Sequence, residues 1–101
     1  MRARTIEALL IERIAEILYL APEDIDPDAP HSSYGLDSAT ALILAAEIEE
    51  ELGVHVDDSL AWDHPTIRAL AEFLAERELM QAQAELAAVL AEEAGAPGGV
   101  R

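Results

Sequence analysis

Between Thr5 and Leu20 the apolar residues return at helical spacing. Ile6, Leu10, Ile14 and Ile17 share one face, and Leu9, Leu18 and Ala21 widen it. Pro22, which cannot donate a backbone hydrogen bond, closes the pattern. The same period restarts after Asp37 and again after Thr66, so the chain reads as helices packed on helices. Core composition agrees. Hydrophobic residues make up 51 % of the 101 residues, yet the aromatics are only Tyr19, Tyr34, Trp62 and Phe73. A core built from Leu, Ile, Val and Ala suits helical packing better than a sheet.

These elements can be placed in order. A long connection from 21 to 36 holds Pro22, Pro27 and Pro30 with Asp24, Asp26 and Asp28, and Ile25 is its expected anchor on the core. The second helix is expected over 38–52, with Asp37 as N-cap and Gly53 as a left-handed stop. Val54-His55-Val56 is short and extended, and residues 57–62 supply one helical turn around Leu60. Asp63-His64-Pro65 breaks that turn, and Thr66 caps a further helix whose Ile67, Leu70, Phe73 and Leu74 point inward. Trp62 and Phe73 read as core. Beyond Glu78 no breaker appears before Ala94, and Leu79, Ala82, Leu86 and Val89 fall near a heptad spacing. Residues 94–101, with "GAPGGVR", read as a flexible end. The expected architecture is all-α: a small four-helix bundle of three long helices and one short one. It divides into a domain over 1–78 and a helical extension with a flexible tail over 79–101.

Charge narrows the function. Cysteine is absent, which excludes disulfides and thiolate metal sites; lysine is absent too, and six arginines face 21 acidic residues for a net charge of -15. Such a surface repels nucleic acid and attracts partners with basic patches. No apolar run has membrane-spanning length and no signal-peptide pattern opens the chain, so a cytoplasmic location is expected.

Chemistry concentrates in "GLDSATAL", Gly35 to Leu42. At about 100° per residue, Ala41, Leu44, Ala45, Ile48 and Leu52 form the core face of the second helix, and Glu47 and Glu51 lie opposite in solvent. Ala39, Leu42, Ile43, Ala46, Glu49 and Glu50 flank Ser38 on the remaining surface. Leu42 and Ile43 thus form an apolar patch edged by carboxylates, the anatomy of a partner-binding surface. On its own "DS" is ordinary capping chemistry. A catalytic serine is a poor fit: the second glycine of a nucleophile elbow is missing, and His31, His55 and His64 are scattered in loops. Pro27 and the missing glycine and glutamate likewise spoil a calcium loop at Asp24, Asp26 and Asp28. No metal site is expected.

Two blocks, "SSYGLDSATALILAAEIEEELGVHV" and "AWDHPTIRALAEFL", resemble the acyl carrier protein family, in particular carriers of polyketide synthase type. The likeness rests on the Gly-Leu-Asp-Ser motif and on Trp62-Asp63-His64-Pro65-Thr66, and it covers about 6–77. It implies that Ser38 bears 4′-phosphopantetheine, taken from coenzyme A by a phosphopantetheinyl transferase, with Asp37 as the motif's helix cap. It implies a carrier without catalysis of its own, shuttling thioester-bound acyl groups in polyketide or related lipid biosynthesis. Its partners would be ketosynthase, acyltransferase or acyl-AMP ligase type enzymes that meet Ala39, Leu42, Ile43, Ala46, Glu49 and Glu50. "LDSA" with "AWDHPT" is similar to carriers loaded by fatty acyl-AMP ligases. Ala39 departs from the leucine usual after the serine. Leu36 favours an acyl carrier over a peptidyl carrier of a nonribosomal peptide synthetase, where Gly-Gly-(His/Asp)-Ser is typical. The alternative is a plain helical docking module in which Ser38 only caps a helix, with self-association through 79–94.

Overall fold

The computed structural model describes the backbone of residues 2–99 and the side chains of residues 2–92. Four helices follow in order: α1 Arg2–Leu18, α2 Ser38–Leu52, α3 Leu60–Asp63 and α4 Ile67–Gly99. Short 3-10 turns at Pro22–Asp24 and His31–Tyr34 interrupt the long first connection. Among the described residues there is no strand, only an isolated bridge between Pro30 and Thr66.

The apolar stripes close on one another. Ile6, Leu10 and Ile14 of α1 meet Leu44 and Ile48 of α2 and Ile67, Leu70 and Leu74 of α4, each at most 2 % exposed. Burying one such side chain contributes roughly 1.5–3 kcal/mol. Ile25 is buried, as its anchoring role requires, and Val54 and Val56 seal the segment between α2 and α3. Ion pairs bridge the rims: Arg13 to Glu51, Arg68 to Glu7 and Asp28, and Arg2 to Glu78. All are partly exposed, so each fixes alignment more than it stabilises.

Three sequence expectations about α1, α2 and α3 are corrected. First, α1 ends at Leu18, before Pro22, because Tyr19 adopts a left-handed φ of 59° and the Leu20 amide donates back to the Ala15 carbonyl at 2.9 Å. The turn takes Ala21 off the helix face, and Ala21 is exposed instead of widening the stripe. Second, Trp62 is 49 % exposed. The single turn of α3 spends its inner side on Leu60 and Ala61, and the next residue swings outward. Phe73, by contrast, is half-buried, stacked on the His64 ring at 4.2 Å with the Arg77 guanidinium over its face. Third, Glu47 on the outer side of α2 is half-buried rather than fully in solvent.

α4 is continuous for 33 residues and runs through Gly99, past the Ala94 limit read from the sequence. Of the expected flexible end, residues 100 and 101 lie outside the described residues. At about 1.5 Å per residue the helix is close to 50 Å long. It therefore sets the longest dimension of a molecule measuring 59 × 27 × 20 Å.

Candidate functional site

Local chemistry decides where α2 begins. Gly35 ends the second 3-10 turn at φ 91°, a left-handed backbone that side-chain-bearing residues rarely adopt, although nothing nearby would block a Cβ. Leu36 then buries its side chain in the core at 4 % exposure. Asp37 caps the helix: its Oδ1 accepts the Thr40 amide at 2.9 Å and the Thr40 hydroxyl at 2.8 Å, and the Asp37 amide donates to Thr40 Oγ1 at 2.9 Å. This is a capping box closed by threonine. The Thr40 amide, and next the Thr40 hydroxyl, hold the Asp37 carboxyl below the usual carboxylate range. Ser38 comes next, the first residue of the 15-residue α2. It is exposed, and its hydroxyl has no hydrogen-bond partner among the described residues. Ser33 and Ser59 differ, donating to the Pro30 carbonyl at 2.7 Å and the Asp63 carboxylate at 2.8 Å.

The loop ahead of Ser38 is fastened to the turn between α3 and α4. His31 Nε2 lies 2.7 Å from the His64 carbonyl, which can only accept, so that nitrogen carries the proton. Nδ1 of the neutral ring is then the acceptor for the Tyr34 hydroxyl at 2.6 Å. Burial pushes the His31 imidazole down, partly offset by the His64 carbonyl, and pushes the Tyr34 phenol up. Backbone bonds from His31 to Pro65 and from Arg68 to Pro27, both 2.9 Å, complete the join. Nothing in the sequence marks this knot except the loop's length. Thr40 was readable, since Asp-x-x-Thr has capping-box spacing.

On the surface beside Ser38, Leu42 and Ile43 are 50 % and 48 % exposed, and Ala39, Ala46 and Glu50 are exposed too. Glu49 is occupied: its carboxylate accepts the Val56 amide at 2.9 Å and faces His55 Nδ1 at 3.1 Å. Glu50 shares a shallow recess with Glu47, Glu51, Glu16 and Arg13. The opposite face of α2 buries Ala41, Leu44, Ala45 and Ile48, with Leu52 half-buried, as its period requires.

No side chain next to Ser38 is equipped as a base. His31 is consumed in the knot, His64 stacks on Phe73 and His55 faces Glu49. Of the loop aspartates, Asp26 accepts the Asp28 amide and Asp28 pairs with Arg68. Among the described residues no three His, Cys, Asp or Glu gather for a metal, and no helix is long and apolar enough to cross a membrane.

The family model for the phosphopantetheine attachment site matches residues 8–74, about two thirds of the chain. The chain belongs to that family. It is a non-catalytic carrier domain related to those of polyketide synthases. Over 69 residues, 68 % of its length, it is 38 % identical to a phenolphthiocerol/phthiocerol polyketide synthase of Mycobacterium tuberculosis. Polyketide synthase PksN of Bacillus subtilis is 32 % identical over 71 residues, 70 % of this chain. The chain spans only 4 % and 1 % of those proteins. Among solved structures, a free-standing peptidyl carrier protein from Acinetobacter baumannii superposes with a TM-score of 0.71 at 38 % identity, covering 73 % of this chain and 92 % of that one. The A1-type ACP domain from module 5 of MLSA1 superposes at 0.70 and 31 % identity, covering 75 % of this chain and 77 % of its own. The carrier domain therefore has the four-helix acyl or peptidyl carrier fold.

Proposed function

We propose that this carrier domain bears its 4′-phosphopantetheine on Ser38 and carries acyl thioesters in polyketide or related lipid biosynthesis. The observation that carries the reading is the free, exposed hydroxyl of Ser38 at the first residue of α2, inside the segment matched by the family model. The local residues fit the group. Asp37 occupies its carboxylate with Thr40, and first-turn amides with the positive end of the helix dipole favour a phosphodiester at this position. In the attachment step the Ser38 oxygen bonds to phosphorus, the pyrophosphate bond of coenzyme A breaks, and 3′,5′-ADP leaves. The serine proton passes to a base of the transferase. Once attached, the group supplies a terminal thiol for thioester formation.

The rest of the work belongs to surface residues. Leu42 and Ile43 offer partner enzymes an apolar grip, with Ala39 and Ala46 leaving room for close approach. Glu50 supplies the freer charge of the two rim carboxylates, because Glu49 is tied to Val56 and His55. Rim charges of this kind speed encounter with basic surfaces such as those expected on ketosynthases, acyltransferases or acyl-AMP ligases. A peptidyl cargo is the second reading, favoured by the 38 % identity to the free-standing peptidyl carrier.

The test is an intact mass after incubation with coenzyme A, magnesium and a promiscuous transferase. Wild type should gain one phosphopantetheine and Ser38→Ala none; equal gain in both would reject Ser38. Offering the modified protein to fatty acyl-AMP ligases and to amino-acid adenylating enzymes then separates the cargo readings. Loading by the latter alone would reject the acyl reading.

A further inference from the structure

The second half of α4 is a helix with an uncovered apolar face. Leu79, Leu86, Val89 and Leu90 are 58 %, 59 %, 51 % and 54 % exposed, and of the side chains from Leu79 to Glu92 only that of Gln81 is half-buried. At about 100° per residue these four share one side with Ala82. Near the bundle the face runs into a groove of about 730 Å³ between Arg2 and Ala3 of α1 and Ala75, Leu79 and Ala82 of α4. Two ties hold the helix at that point. Arg2 grips Glu78 with two hydrogen bonds, and the Gln81 amide donates to the Gly53 carbonyl at 2.6 Å, where α2 ends. The extension thus leaves the bundle in a fixed direction, with its apolar face aligned to the groove. A face of this size on a surface helix calls for cover.

Charge identifies what covers it. Glu78, Glu85 and Glu92 recur every seven residues along one edge, Glu76 lines the other, and no Lys or Arg occurs in α4 after Arg77. A second copy would bring these acidic edges against their own kind and add its own charge of -15. We infer that this groove and face dock a basic amphipathic helix of another protein, with Leu or Ile on its apolar side and Lys or Arg along its edges. The inference is independent of Ser38.

The test is a titration of the full-length protein, labelled for amide NMR, with two synthetic helices of about three heptads. They share the same leucines and differ only in lysine or glutamate at the edges. The lysine peptide should bind saturably, shift residues 75–92, and weaken as salt rises. The glutamate peptide, and a Leu86→Glu, Leu90→Glu chain with unchanged helicity, should bind at least about tenfold more weakly. Equal binding of both peptides, or shifts confined to α2, would overturn the proposal. So would a dimer of the unmixed protein in sedimentation that the double variant makes monomeric, since the face would then belong to a second copy.

Discussion

His31 and Ser38 stand on one short stretch of chain in opposite environments. The His31 imidazole is 2 % exposed with both nitrogens bonded, whereas the Ser38 hydroxyl is exposed and without a partner among the described residues. Between them, Gly35 turns the backbone and Leu36 pins it. The contrast shows how the chain can hold the start of α2 in place while leaving the Ser38 hydroxyl open. Fixing the loop through buried, fully satisfied polar groups costs little, and it leaves Ser38 and Ala39 free of packing duty. Leu42 and Ile43 can then stay half-exposed without loosening the bundle, because Ala41, Leu44 and Ile48 supply the packing.

Each half of this comparison can be broken separately. His31→Ala should have the largest effect on stability, a loss of about 2–4 kcal/mol in urea denaturation, because it opens a cavity and strands the Tyr34 hydroxyl and the His64 carbonyl. A loss no larger than that of a surface change would mean the knot does not hold the loop. Next comes pH. Burial lowers the folded His31 pKa beneath its ordinary 6.5, so just below that value the unfolded chain binds a proton that the folded chain refuses. Stability should be complete above pH 6.5 and fall as pH drops toward the folded value, and His31→Gln should flatten that slope. The Asp37 contribution has the same sign at lower pH: its carboxyl is depressed when folded, so its stability is lost only as pH falls through the carboxylate range. Asp37→Ala should cost less than His31→Ala and show as earlier melting of α2, read by amide exchange in its first turn. Least of all, Leu42→Ala and Ile43→Ala should alter stability by no more than about 0.5 kcal/mol while slowing transfer by partner enzymes. Strong destabilisation by either would return that patch to the core.

Much of this was legible in the sequence because it is local. Ala41, Leu44, Ala45 and Ile48 follow from a single period, and Asp37, Gly53 and Thr66 from capping and stop chemistry within a few residues. The knot was not legible. It joins a loop imidazole to a backbone carbonyl far along the chain, and carbonyls carry no sequence signal. Tyr19 hid the end of α1 because a left-handed tyrosine is rare where glycine or asparagine is usual. Trp62 misled because aromatic character predicts burial only where the element has an inner side left to offer. The hold of Glu49 on the Val56 amide was hidden as well, since it depends on how the chain turns after Gly53.

The most direct test of the central claim is fragmentation of the transferase-treated protein with the added group still in place. Fragment masses should locate the phosphopantetheine on Ser38. Location on Ser32, Ser33 or Ser59 would contradict the account, because the exposed start of α2 would then be a helix cap and nothing more.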